Sequence, residues 1–461
     1  MTAPGGGREG GGPSPPPQAQ DRRRALAAAR ARIAAVHATR REAPPVEGFR
    51  HAVRHVVVLG SSSRGGSSIV AEMLRGSARL LHLRAELNPF LVLHGLGWPD
   101  NATGSDALGA DVPVSVLDAV GESLAWECGV REDAPVTGDA VARLAADLAV
   151  RAGLQWPTLD ISPAHVRACV DEALARIGAR AAEDPTALHV GFLDALRCRW
   201  PEVHPYAYDL DRTRVDAAFP GLPPWAGPAT DLVLEEPPFV AIRPWRRANT
   251  DALATMPLVV KTPGNAYRMP FLRALFPNAR IDLVHLARNV AASVNGLWDG
   301  WRHPGFHAHA LPPGTLALTG TAHLPGSDRW WKFDLPPGWE AWTRGPLEAT
   351  CAFQWRSAHR ALLDACAADP AMRVHRVHVE DLWGPHRGSS LAGLADFLGI
   401  PGDPALSPDA AGALPPVMAT APPRARRWFD RAEALAPVLN DPENHVLMEA
   451  LGYGPDPSTW M

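Results

Sequence analysis

From His55 the chain reads Val56-Val57-Val58-Leu59 without a polar break, then turns at Gly60 into a serine-rich stretch. Four consecutive apolar residues bounded by turn residues suit a strand buried on both faces, as in a parallel sheet. The same signature returns at Leu258-Val259-Val260 and at Ile281-Asp282-Leu283-Val284-His285-Leu286, and a fourth strand at Val374–Val379 alternates with His and Arg. Stretches with helical spacing lie after or between them, at Ser67–Arg75, Ala266–Leu275, Val290–Trp298, Thr350–Ala368 and Ser390–Leu398. Strand-then-helix repetition predicts an α/β fold of three layers, a central parallel sheet flanked by helices on both faces.

Nearly two hundred residues separate the first two strands, far more than one crossover uses. Two helices are readable there, Gly138–Ala152 and another opened by Ser162-Pro163, where Ser caps and Pro takes the first turn. Between about 201 and 257 the text is Pro- and Trp-rich and irregular. The organisation expected is a disordered tail over 1–20, a basic leader helix over 21–50, and one domain over 51–461. A large helical and irregular insert at 100–255 is expected to form an acceptor pocket or lid. In the leader, Arg22, Arg23, Arg24, Arg30, Arg32, Arg40 and Arg41 surround a thin apolar face at Ile33 and Val36, which predicts a solvated helix.

A net charge of −4 over 461 residues gives no bulk attraction for nucleic acid, and none is expected as a partner. The five cysteines are scattered without a CxxC pair, which predicts reduced thiols and no zinc site. No run reaches the roughly 18 apolar residues of a membrane span, so no integral membrane association is expected. The Gly/Pro-rich start has no apolar signal segment, and a soluble, cytoplasmic protein is expected.

The chemistry concentrates in Gly60-Ser61-Ser62-Ser63-Arg64-Gly65-Gly66-Ser67-Ser68, which runs from a strand into a helix. Small residues let backbone N–H groups turn toward a phosphate, and the helix N-terminus adds positive potential. The nucleoside-triphosphate loop GxxxxGK[ST] is nearly present from Gly60, but Gly66 stands where its lysine must be, which argues against an ordinary ATPase or kinase. The fixed cation of the loop is Arg64.

Ser63-Arg64-Gly65-Gly66-Ser67-Ser68 resembles the 5′-phosphosulfate loop of sulfotransferases that use 3′-phosphoadenosine 5′-phosphosulfate, with Ser for the usual Pro and Ser-Ser for Thr-Thr. Downstream, the strand Ile281–Leu286 followed by Arg288 and a helix bearing Ser293 is similar to the family's 3′-phosphate signature. The separation of five positions is shorter than the common seven or eight, and Asn295 is the alternative partner. Val259-Val260-Lys261-Thr262-Pro263, Leu275-Phe276-Pro277, His378-Val379-Glu380-Asp381-Leu382 and Leu394–Ile400 also resemble segments of the bacterial type. The likeness covers about 55–100 and 255–400, with a looser match ending at Leu451-Gly452-Tyr453.

The resemblance implies a P-loop-like fold in which Arg64, Gly65, Gly66, Ser67 and Ser68 bind the 5′-phosphate and sulfonate, and Arg288 with Ser293 or Asn295 binds the 3′-phosphate. It implies no metal. Cytosolic animal members place a catalytic His where this chain has Pro263; many bacterial and carbohydrate members use a Glu soon after the first helix, which points to Glu86 as general base. Lys261 is a candidate for stabilising the leaving group. The family also places a basic segment over the 3′-phosphate, matching Arg424-Ala425-Arg426-Arg427-Trp428.

His303, His307 and His309 are irregularly spaced around a turn and read as lining a substrate mouth rather than holding a metal. The tryptophans crowded at 298–355 read as core, with some free to stack on adenine or on the acceptor. The acceptor, a small molecule, lipid or glycan, is not legible. Two rivals stay open: a kinase using ATP and magnesium, and a nucleotide-binding protein without turnover.

Overall fold

The computed structural model describes residues 17–132, 136–178, 184–227, 232–422, 424–456 and 460. Its central sheet has seven strands: β1 His55–Gly60, β2 Leu81–Leu83, β3 Cys128–Arg131, β4 Trp245–Arg247, β5 Leu258–Lys261, β6 Arg280–Ala287 and an edge strand, Val374–His378. In space the order is the Val374–His378 edge, then β6, β1, β5, β2, β3 and β4. The pairings from the Val374–His378 edge through β2 are parallel. β3 and β4 are antiparallel, so the expected all-parallel sheet is corrected to a mostly parallel one. Those two short strands come from the insert, and β2 precedes it. With three or four residues each they carry too little pattern to read as strands.

The uninterrupted apolar run of β1 divides between two layers, as the pleat demands. Val56 and Val58 pack into the core shared with the leader helix and insert, whereas Val57 and Leu59 pack under helices Ser67–Leu74 and Arg387–Leu398. All four are essentially inaccessible. A third apolar cluster joins helix Val290–Trp301, helix Leu347–Ala368 and the C-terminal helices, and it takes in Trp301, Trp331, Trp339 and Trp355. These four tryptophans are core, as their crowding suggested.

The parallel registers align the C-terminal ends of three strands. Leu59 lies opposite both Lys261 and Val284, and Gly60 opposite His285. The segments leaving β1, β5 and β6 therefore emerge side by side, the place where open α/β sheets bind ligands.

The leader helix runs Pro17–Ala38, starting inside the stretch expected to be a tail; residues 1–16 lie outside the described part. It is not solvated. Leu26, Ala29, Ile33 and Val36, spaced for one face, are buried in the main core. Arg30 donates to the carbonyl of Leu93, Arg32 Nη1 to that of Leu159 at 2.6 Å, and Arg40 Nη2 meets Asp147 at 2.7 Å. Alanines in that face let the helix approach closely, while the arginine stems reach over the rim.

In the insert, helices Asp139–Gln155 and Pro163–Ile177 match the two expected, and Ser162 caps the second through a reciprocal pair with His165. Two segments of the insert reach the site described below, Glu236-Pro237-Pro238 at the cavity wall and Asp209 at the segment around Met418. Among the described residues no helix is long and apolar enough to cross a membrane.

Candidate functional site

A cavity of about 600 Å³ opens above the C-terminal ends of β1, β5 and β6. Its floor is the Gly/Ser loop. Arg64 sits in the left-handed region at φ 61°, and Gly66 at φ 92° leads into helix Ser67–Leu74. A Cβ on Gly65 would lie 2.7 Å from the carbonyl oxygen of Ser62, and one on Gly66 2.9 Å from Val379 Cγ1. Only glycine lets the loop close so tightly. Ser63, Arg64, Gly66, Ser67 and Ser68 face the cavity, above the first turn of a helix whose N–H groups have no intrahelical acceptor.

Arg288, at the end of β6, enters from the side. Its Nη1 donates to the carbonyl oxygen of Arg64 at 2.9 Å, so two segments 224 residues apart share one wall. Both side chains are partly buried. Burial first, and then the neighbouring Arg288 charge, pull Arg64 down to about 10; burial also lowers Arg288. Arg64 Nη1 donates to the carbonyl of Met418 at 2.6 Å, the guanidinium lies 4.8 Å from the centre of the Phe306 ring, and its Nε has no partner. Two desolvated like charges with a spare donor form a site that an anion would relieve.

The helix after Arg288 settles which of its polar residues reaches the cavity. Ala292, Asn295 and Gly296 line it, on one face at i, i+3 and i+4. Ser293 is fully buried and its hydroxyl turns back to the carbonyl of Arg288 at 3.4 Å. The structure therefore brings Asn295, not Ser293, to the wall. Asn295 Oδ1 accepts from Arg431 Nη1 at 2.5 Å.

Opposite lies the Glu86–Lys261 pair. Glu86 stands in the turn between β2 and helix Asn88–Leu93, and Lys261 ends β5; the ammonium donates to Glu86 Oε1, while Oε2 is buried without a partner. Glu236, from the insert, joins them. Burial and then the charge of Glu86 raise its carboxyl well above the usual range, and its Oε1 accepts from Asn88 Nδ2 at 2.6 Å. Asn88 is fixed in turn by buried Arg268, which also binds Asp106 at 2.8 Å. His307 lines the same end, held neutral by burial, 3.9 Å from Glu236. His303 and His309 are outside the lining, and among the described residues no group of three His, Cys, Asp or Glu side chains could hold a metal.

The roof is formed by residues 414–421 and 424–428. Arg424, Ala425, Arg426, Arg427 and Trp428 all line the cavity, together with Leu414 to Ala421. Asp209 fastens this roof by accepting from the N–H of Met418 at 3.1 Å, and Arg64 holds the same residue by its carbonyl. On the far wall Glu380 accepts from the N–H of Asn289 at 3.0 Å and from Tyr453 OH at 2.8 Å. Two segments that looked alike to family signatures by sequence, around 380 and 453, thus meet beside Arg288.

Sequence reasoning missed Glu236 and Asp209. The insert offered one signal, an acidic pair, Glu235-Glu236, set before two prolines in an apolar stretch. Asp209 had none, because only the fold carries the roof over to it.

No protein-family model matches this chain, and no curated protein matches it. Among solved structures it is similar to a sulfotransferase domain from the curacin biosynthetic pathway, at 12% identity over 88% of this chain and 99% of that one, with a TM-score of 0.36. A second is the sulfotransferase domain from the Synechococcus PCC 7002 olefin synthase, at 14% identity over 90% and 98%, with a TM-score of 0.35. With TM-scores this low, the two likenesses carry no argument about fold or chemistry.

Proposed function

We propose that the chain is a sulfotransferase that moves a sulfonyl group from 3′-phosphoadenosine 5′-phosphosulfate to a hydroxyl or amine acceptor. The observation that carries this reading is the meeting of Arg64 and Arg288 in one cavity. A triphosphate site needs one cation at the end of its loop, whereas here a second guanidinium stands beside the loop at 2.9 Å from the Arg64 carbonyl, which would suit a nucleotide carrying a second, separate phosphate. The loop would hold the 5′-phosphate and sulfonate on Gly65, Gly66, Ser67 and Ser68. Arg288 and Asn295 would hold the 3′-phosphate under the basic roof.

In this reading the acceptor oxygen attacks sulfur, the bond from sulfur to the 5′-phosphate oxygen breaks, and the acceptor proton passes to Glu86 Oε2. Protonation cancels the carboxylate that Lys261 pairs with, freeing the ammonium for the charge left on the departing phosphate. Arg64 stabilises the same charge. The sulfonyl group carries less charge than a terminal phosphoryl, so the chemistry requires no divalent metal. Among acceptors, a neutral hydroxyl compound fits the two carboxyl groups, Glu86 and Glu236, that close this end.

Calorimetry with 3′-phosphoadenosine 5′-phosphate and with ATP, each with and without magnesium, tests the assignment. The expected result is binding of the 3′-phosphorylated nucleotide without metal dependence and far weaker binding of ATP. Binding of magnesium-ATP alone would overturn the reading in favour of a kinase. Tight nucleotide binding with no turnover, unchanged by Glu86→Gln, would leave a binding protein.

A further inference from the structure

The Gly/Ser loop contains a costly residue. Arg64 has a Cβ and yet adopts φ 61°, a conformation unfavourable for a non-glycine residue that persists where its surroundings over-determine it. From the C-terminal side the reason is visible: its carbonyl oxygen is taken by Arg288 and the following N–H, that of Gly65, closes on Ser62 at 3.0 Å. On the N-terminal side the neighbour is Ser63, fully buried, whose hydroxyl donates to the carboxylate of Asp334.

Asp334 is remote in sequence and firmly held. It lies between helices Val290–Trp301 and Leu347–Ala368, buried at 4% exposure, with its second oxygen accepting from Tyr267 OH at 2.8 Å. Its backbone carbonyl accepts from Trp331 Nε1 at 2.8 Å and Gln354 Nε2 at 2.9 Å. The preceding Phe333 is also left-handed, at φ 65°, and its ring lines the cavity against Phe306, the ring over which Arg64 lies. Leu335 N–H is bound by Asp106 at 2.9 Å. A short segment fixed at three successive residues therefore reaches across the molecule to one hydroxyl of the loop.

We propose that Asp334 is a positioning residue of the phosphate loop: by gripping Ser63 it holds the left-handed turn at Arg64 and keeps the loop amides preset for an anion. The proposal rests on the loop being the phosphate site, but its geometry does not depend on which nucleotide binds. Preorganised donors bind and stabilise charge without paying for their own ordering at the moment of binding. Tyr267 serves as the control, since it shares the carboxylate but does not touch the loop.

Hydrogen–deuterium exchange of the peptide spanning 61–68, measured on the full chain without nucleotide, tests this directly. Asp334→Ala and Ser63→Ala should each speed exchange by about tenfold or more, the scale of one buried hydrogen bond to a charged group. The double variant should be no faster than either single one. Asp334→Asn, which keeps an acceptor oxygen, should stay close to the wild type, and Tyr267→Phe should lower the melting temperature without loosening the loop. If Tyr267→Phe loosens it as much as Ser63→Ala, or if the Ser63 and Asp334 effects multiply, Asp334 is merely structural and the proposal fails. The Ser63 and Tyr267 variants decide the matter even if Asp334→Ala does not fold.

A second readout is the affinity for 3′-phosphoadenosine 5′-phosphate, which should fall with Ser63→Ala and be restored toward wild type in Asp334→Asn. If the exchange results hold while the wild-type protein does not bind this nucleotide, the functional reading falls and the positioning role stands.

Discussion

Replacing Arg288 by alanine separates the two jobs the structure gives it. In the nucleotide-free protein its Nη1 makes one hydrogen bond, to the carbonyl of Arg64, at 2.9 Å, and its charge repels that of Arg64. Losing a hydrogen bond from a charged donor costs about 1.5–3 kcal/mol. Relief of the repulsion between the two partly buried guanidiniums offsets part of it, so the melting temperature should move by no more than a few degrees. Bound to a 3′-phosphate, the same side chain can make two charge-assisted bonds at about 1.5–3 kcal/mol each, which together set a loss of roughly 100-fold or more in affinity. The assay is calorimetry with 3′-phosphoadenosine 5′-phosphate and with adenosine 5′-phosphate, which differ only at the 3′ position. Wild type should favour the first by about two orders of magnitude, Arg288→Lys should retain part of that preference because it keeps charge without the fork, and Arg288→Ala should abolish it. Should Arg288→Ala weaken both ligands by the same factor, Arg288 acts through the Arg64 carbonyl and not on a 3′-phosphate, and the nucleotide orientation proposed above is wrong.

Further outcomes are expected. Glu86→Gln should lower sulfonyl transfer to an alcohol by about 10²–10⁴-fold while nucleotide affinity changes by a few-fold at most, as read by release of 3′-phosphoadenosine 5′-phosphate; undiminished turnover would remove Glu86 from the base role. Leu26→Ala in the leader helix should cost about 2–4 kcal/mol in denaturant unfolding, as for any buried leucine, where a solvated helix would lose almost nothing. Burial lifts Asp209 from an ordinary value of 3.8 to about 6, with the Met418 N–H opposing. A carboxyl raised in the folded state favours its protonated form there, so its contribution to stability is lost as pH rises from about 4 through 6. The melting temperature of wild type relative to Asp209→Asn should therefore fall over that window and level off near pH 7; a difference independent of pH would show that Asp209 is not the titrating group.

What could be read in the sequence, and what could not, divides along a physical line. β1, β5 and β6 were legible because a strand buried on both faces is predominantly apolar: β1 has four such residues in a row and β5 three, and β6 keeps Ile281, Leu283, Val284 and Leu286 around Asp282 and His285. β3 and β4 were not, since strands of three or four residues at and next to the sheet edge hold polar side chains such as Arg131 and Arg246 and carry too little apolar pattern to stand out. The leader helix misled for a related reason: its buried face uses alanine, which contributes little to apolar pattern but permits close packing, and its arginines find carbonyls rather than water.

The contrast between Ser293 and Asn295 shows where motif spacing gives way to geometry. Counting from Arg288 selects a hydroxyl, because serine is the expected chemistry. A helix, however, presents residues by angle, and only one face of it meets the loop. Gly296 lies at the closest approach: a Cβ there would stand 3.4 Å from Arg64 Cβ and 3.7 Å from Arg288 Nη1, ordinary van der Waals contact. At about 100° per residue Asn295 and Gly296 fall about 60° and 40° to either side of Ala292, so these three share the face that lines the cavity, whereas Ser293 points about 100° from Ala292 and into the core. Ser293 at five positions beyond the arginine is short of the common spacing, and Asn295 at seven restores it. The wall is thus set by which face of one helix lies against the loop, and a polar side chain in the right neighbourhood of the sequence takes part only if it falls on that face.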